Sequence, residues 1–132
     1  MMFVDASAMV AILIREPEWP DLLARLEAAS QKVTSPVAVY EAVLAVARIK
    51  DRSLGQVRLA LEEFLASTGI EVVAITSIEG NLALDAFERY GKGRHPARLN
   101  LGDCFAYACT RARGARLLFK GDDFAQTDIV GG

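Results

Sequence analysis

Phe3-Val4-Asp5-Ala6-Ser7 is the stretch whose reading decides the fold. An apolar pair meets an acid and passes at once into residues 6–14, which read as a helix with Met9, Val10 and Leu13 on one side and Pro17 beyond its end. A short strand feeding directly into a helix is half of a βα unit, and the pattern repeats. Lys32-Val33-Thr34 reads as a strand, and Ser35-Pro36 then supplies an N-cap and a proline at the first helical position. That helix is expected to run to about Lys50, with Val37, Tyr40, Leu44 and Ala47 as its apolar stripe. Further strands are expected over residues 71–75 and 116–119, with a last edge strand at Ile129-Val130. Further helices are expected over residues 21–29, 54–67, 77–90 and 103–113, and a cationic Gly/Pro loop over residues 91–102. Short strands alternating with helices imply an α/β chain with a parallel sheet covered on both faces.

The 132 residues fit one domain, and 52% hydrophobic residues supply a core. No apolar run approaches the roughly 20 residues that span a bilayer, and Asp5 interrupts the opening too early for a signal peptide. Cys104 and Cys109 are five apart on a predicted helix, off a common face, so they read as buried free thiols of a cytoplasmic protein. The net charge of −2 hides an asymmetry. Residues 1–88 hold seven Lys/Arg against thirteen Asp/Glu, whereas residues 89–132 hold eight against four. Between Arg89 and Gly121 the one acid is Asp103. A lone carboxylate among cations suits a site that binds a metal and draws in a polyanion; a solvated basic face explains the charge equally well.

Ligands of parallel α/β sheets bind outside the carboxyl ends of the strands. Asp5 and Asp122 fall just past strand ends and Asp103 at a helix start, so all three are expected to point into one crevice. Each acid has a plainer reading. Asp5 is a good N-cap. Glu41 lies at or near the expected stripe and needs a partner, either a base such as Arg48 or a metal. Asp103 suits the positive end of its helix, and Asp122-Asp123 is ordinary turn chemistry. Ser7 is a helix-start residue whose hydroxyl is also placed to bond a metal-binding carboxylate. His95 is the single histidine and makes neither a zinc site with the cysteines nor a catalytic pair.

Taken in order, these segments resemble the PIN-domain ribonucleases, and among them the VapC toxins of toxin–antitoxin pairs. The signposts are Phe3-Val4-Asp5-Ala6-Ser7, the run from Ser35 to Glu41, the run from His95 to Ala108, the run from Leu117 to Phe124, and Thr127-Asp128, together covering nearly the whole chain. The resemblance implies a single PIN-like domain over residues 1–132, a three-layer α/β/α sandwich with a mostly parallel central sheet. It implies Asp5, Glu41, Asp103 and Asp122 as the acids that hold Mg2+ (or Mn2+), with Asp123 open as the fourth in place of Asp122. Arg94, His95, Arg98 and Ser7, with Lys92, are the expected substrate contacts. The implied activity is metal-dependent endoribonuclease cleavage leaving a 5′-phosphate and a 3′-hydroxyl. The implied partners are RNA, a VapB-like antitoxin that inserts a segment into the groove, and a second copy of the chain. The competing reading is a catalytically inactive RNA- or partner-binding module, which the full set of acids argues against.

Overall fold

A computed structural model describes residues 1–132. Four strands, β1 (Met2–Val4), β2 (Lys32–Thr34), β3 (Ile70–Val72) and β4 (Arg116–Leu118), form one sheet in the order β3-β2-β1-β4, and every pairing is parallel. The register sets Phe3 beside Val33 on one side and Leu117 on the other. Six helices complete the α/β/α sandwich: α1 (Ala6–Leu13), α2 (Trp19–Ala28), α3 (Pro36–Lys50), α4 (Leu54–Thr68), α5 (Ser77–Tyr90) and α6 (Leu101–Ala112). β1 lies in the middle and all three of its residues are buried, as a strand covered on both faces requires. Phe3, Val4, Leu117 and Leu118 are fully enclosed, each such side chain contributing about 1.5–3 kcal/mol by leaving water.

The strand order explains where a site can form. The chain moves outward from β1 to β2 to β3, then returns to place β4 on the other flank of β1. The crossovers therefore diverge between β1 and β4, and a crevice opens at their carboxyl ends. The Asp5 N–H donates to the Leu118 carbonyl at 3.0 Å, which carries the ladder to the rim of that crevice. On the β2 side the buried Thr34 hydroxyl donates to the Val4 carbonyl at 2.8 Å.

Several expectations need correction. The inward face of α3 is Ala38, Ala42, Val43 and Val46, whereas Tyr40 is 66% and Leu44 41% exposed. The helix is apolar on nearly every side, so its periodicity carries no phase. Ile129-Val130 forms no strand. Gly131 alone makes an isolated bridge to Leu117, just beyond the turn that Asp128 ties to Tyr107. α6 begins at Leu101 rather than Asp103, since Asn100 and not Asp103 is its cap. β3 is drawn back to Ile70–Val72, and α2 starts earlier, at Trp19 with Pro20 in its first turn.

Candidate metal centre and nucleic-acid cleft

Asp5 is the N-cap of α1, and its Oδ2 accepts from the Ser7 N–H at 3.1 Å and the Ser7 hydroxyl at 2.6 Å. It is 5% exposed. Burial raises its pKa, the Ser7 hydrogen bonds oppose that rise, and repulsion from Asp123 adds to it. The Ser7 Oγ also accepts from the Lys120 N–H at 3.0 Å, so one hydroxyl ties the end of β1 to the loop after β4.

Glu41 projects from α3 and is half-buried. Burial first, then repulsion from Asp5 and Asp103, pushes its carboxyl up to about 7. No ion pair engages it, so the pairing with Arg48 that the sequence allowed is not made. Asp103 is the third residue of α6 and completes a capping box with Asn100: the Asp103 N–H donates to Asn100 Oδ1 at 2.9 Å, and the Asn100 N–H donates to Asp103 Oδ2 at 3.1 Å. Burial raises Asp103 to about 6, the Asn100 N–H pulls it down, and Asp5 and Asp123 push it up. Asp122 and Asp123 are both exposed in the turn after β4, and the charge felt at Asp5 and Asp103 is that of Asp123.

A cleft of about 300 Å³ opens beside these acids, lined by Asp103, Asp122 and Asp123 together with Lys92, Arg98 and Asn100. The loop that carries Lys92 and Arg98 is pinned. Gly91 and Leu99 bridge, the Lys92 N–H donates to the Leu99 carbonyl at 3.0 Å, and Arg98 is held at φ 55° by its N–H bond to the His95 carbonyl. His95 does not line the cleft. Its Nδ1 accepts from the Ala97 N–H at 3.0 Å, and its ring stands edge-on to Tyr90. Arg94 lies over the Phe87 ring. A larger apolar groove of about 480 Å³ between α3 and α4, lined by Pro36, Tyr40, Leu44 and Leu54, contains no acid cluster.

The donor set is a group of hard carboxylate ligands from separate elements; Asp5, Glu41 and Asp103 are raised in pKa first by burial and further by repulsion from neighbouring acids, which a cation would offset. The fit to Mg2+ or Mn2+ is therefore one of donor chemistry. No three of these side chains stand close enough, as placed, to clamp an ion. Asn100 escaped the sequence reading, although Asn three residues before Asp at a helix start is a capping-box spacing. Gln126, which also lines the cleft, carried no such signal.

A model of the PIN domain matches residues 2–130. A VapC ribonuclease of Rhizobium meliloti is 45% identical over 141 residues, covering 98% of this chain and 99% of that protein. Among solved structures, Mycobacterium tuberculosis VapC20, described as a sarcin–ricin loop cleaving toxin, superposes with a TM-score of 0.77 at 20% identity, covering 100% of this chain and 98% of that one. A toxin–antitoxin complex from Klebsiella pneumoniae gives 0.72 at 17% identity, covering 100% and 97%. The chain belongs to the PIN-domain family. Within it, the chain groups with the VapC-type ribonuclease toxins of toxin–antitoxin systems.

Proposed function

We propose that this chain is a Mg2+- or Mn2+-dependent endoribonuclease acting in the cytoplasm as the toxin of a VapBC-type pair. The observation that carries the reading is the convergence of Asp5, Glu41, Asp103 and Asp123 from four separate places in the chain, next to a cleft that Lys92 and Arg98 also line. A divalent cation bound there supplies positive charge that acidifies a water and offsets charge on the phosphodiester transition state. Asp5, Glu41 and Asp103 hold it, with the fourth carboxylate from the Asp122-Asp123 turn. Asp123 is the better candidate, because its charge is the one that reaches Asp5 and Asp103. Ser7 fixes the rotamer of Asp5 by a 2.6 Å hydrogen bond. Lys92 and Arg98 hold the phosphates flanking the scissile bond, and Arg94 and His95 lie further along the RNA path. Unpaired bases in the cleft select the RNA. A VapB-like antitoxin covers the same cleft, and the toxin is a homodimer; the likeness to the Klebsiella toxin–antitoxin complex supports a protein partner.

One observation favours a competing reading. The carboxylates form no ready three-ligand clamp, as expected of a binding module without catalysis. Cleavage of a mixed pool of structured RNAs with Mn2+, Mg2+ or EDTA separates the two. We expect metal-dependent cleavage that Asp5→Asn or Asp103→Asn reduces at least about 10²-fold with the melt retained, since each removes a ligand. Asp123→Asn should cost more activity than Asp122→Asn. Cleavage by Asp5→Asn at the unmodified rate would sink the assigned site, and absence of both Mn2+ binding and cleavage would favour the binding module.

A further inference from the structure

Gly102 is buried in the first turn of α6, immediately before Asp103. Its backbone does not call for glycine, because the glycines with φ in the left-handed region are Gly69, Gly93, Gly114 and Gly121. Glycine within a helix is less stable than alanine, so something else must account for it. A Cβ at position 102 would overlap Cδ, Oε1 and Oε2 of Glu41, and these are the three nearest atoms it would meet. Gly55 occupies the equivalent first-turn position of α4, and a Cβ there meets nothing within 4 Å. The crowding at Gly102 therefore comes from the junction of α3 and α6 and not from the first-turn position itself.

We infer that Gly102 is a positioning residue for Glu41: its bare α-carbon keeps open the cradle in which the carboxylate of α3 rests against the first turn of α6, beside Asp103. The obstructed group is the tip of a flexible side chain rather than backbone. A methyl at position 102 consequently displaces Glu41 and leaves α6 in place. A helix-compatible residue pair, small at 102 and acidic at 41, thus works as one unit. The inference rests on the metal-site reading for its consequence, although the contact itself does not.

The test is a cycle of Mn2+ titrations by calorimetry on the full chain, using the unmodified protein, Gly102→Ala, Glu41→Ala, the double variant, and Gly55→Ala as control. Gly102→Ala should weaken Mn2+ binding by about 10–100-fold, the usual effect of removing the support behind a metal ligand. Its cooperative melt should stay within about 2–4 °C of the unmodified protein. The double variant should bind no more weakly than Glu41→Ala, and Gly55→Ala should bind normally. Unaltered affinity in Gly102→Ala would overturn the inference, as would a second full loss in the Glu41→Ala background, since the methyl would then act elsewhere. If the unmodified protein binds no Mn2+, the metal reading fails by itself. A crystal structure of Gly102→Ala then decides the positioning role: a displaced Glu41 carboxylate upholds it, and a carboxylate still in place beside a shifted α6 overturns it.

Discussion

Glu41 and Asp103 are acids held in positions that disfavour their charge. Both carboxyls are raised, to about 7 and about 6, chiefly by burial and then by neighbouring acids. An acid whose folded pKa exceeds its unfolded value binds its proton more tightly in the folded state. Its contribution to stability is therefore complete below the unfolded pKa and is lost as pH rises through the folded one. In EDTA the melting temperature should fall between about pH 4.5 and 7 through these two groups, and Glu41→Gln should flatten that fall. Mn2+ should raise the melt most at the upper end of the window, because the cation binds the deprotonated forms. A pH profile in EDTA that is the same in Glu41→Gln would remove Glu41 from the cluster. At this scale the sequence was most legible where a residue has a local job. The N-cap at Asp5 and the first-turn position of Asp103 both exist as hydrogen bonds, and the same two carboxylates are coupled through space. Gly102 was not legible, because its constraint comes from a side chain sixty-one positions away in the chain.

Among the elements, the starts of α3, α4 and α5 were readable, whereas those of α2 and α6 were not. Ser35-Pro36 sets the start of α3, and Ser53 and Thr76 cap α4 and α5 through capping boxes. The inward face of α3 could not be phased from Val-Ala-Val-Tyr-Glu-Ala-Val-Leu, because apolar residues point in every direction; the small ones turned out to face the core. The final segment is held by backbone hydrogen bonds to Leu117 and by polar side-chain contacts at Asp128. The Tyr107 hydroxyl donates to Asp128 at 2.5 Å, and Arg89 and Arg111 stand 3.6 and 3.5 Å from the other carboxylate oxygen. The Tyr107 hydrogen bond, followed by the two arginines, holds Asp128 below the usual carboxylate range, and burial together with Asp128 raises Tyr107 to about 12. Tyr107→Phe should destabilise the fold by about 1 kcal/mol, a value discounted for the half-exposed arginines, and should loosen the segment after Phe124 in hydrogen exchange. Protection of that segment equal to the unmodified protein would place its anchor elsewhere, with the Leu117–Gly131 bridge.

Across the whole molecule, the charge asymmetry of the sequence resolves into separate roles. Of the cations after residue 88, Lys92 and Arg98 face the cleft, Arg89 and Arg111 serve Asp128, Arg94 covers Phe87, and Lys120 contacts Glu16. Composition alone could not divide them, since folding rather than abundance decides which charges remain free for a polyanion. Lys92→Ala with Arg98→Ala should weaken RNA binding and lower its salt slope by about 0.7 for each phosphate that the variant leaves unneutralised. Arg94→Ala should change the slope less, and an equal change would move the RNA path toward α5. The Ser7 hydroxyl, which receives the Lys120 N–H from 113 positions along the chain, carries a further consequence. Asp122 and Asp123 reach Asp103 only through the pairing of β4 with β1, so the acid cleft is a product of long-range closure and must vanish whenever that strand pair opens, even while the helices persist.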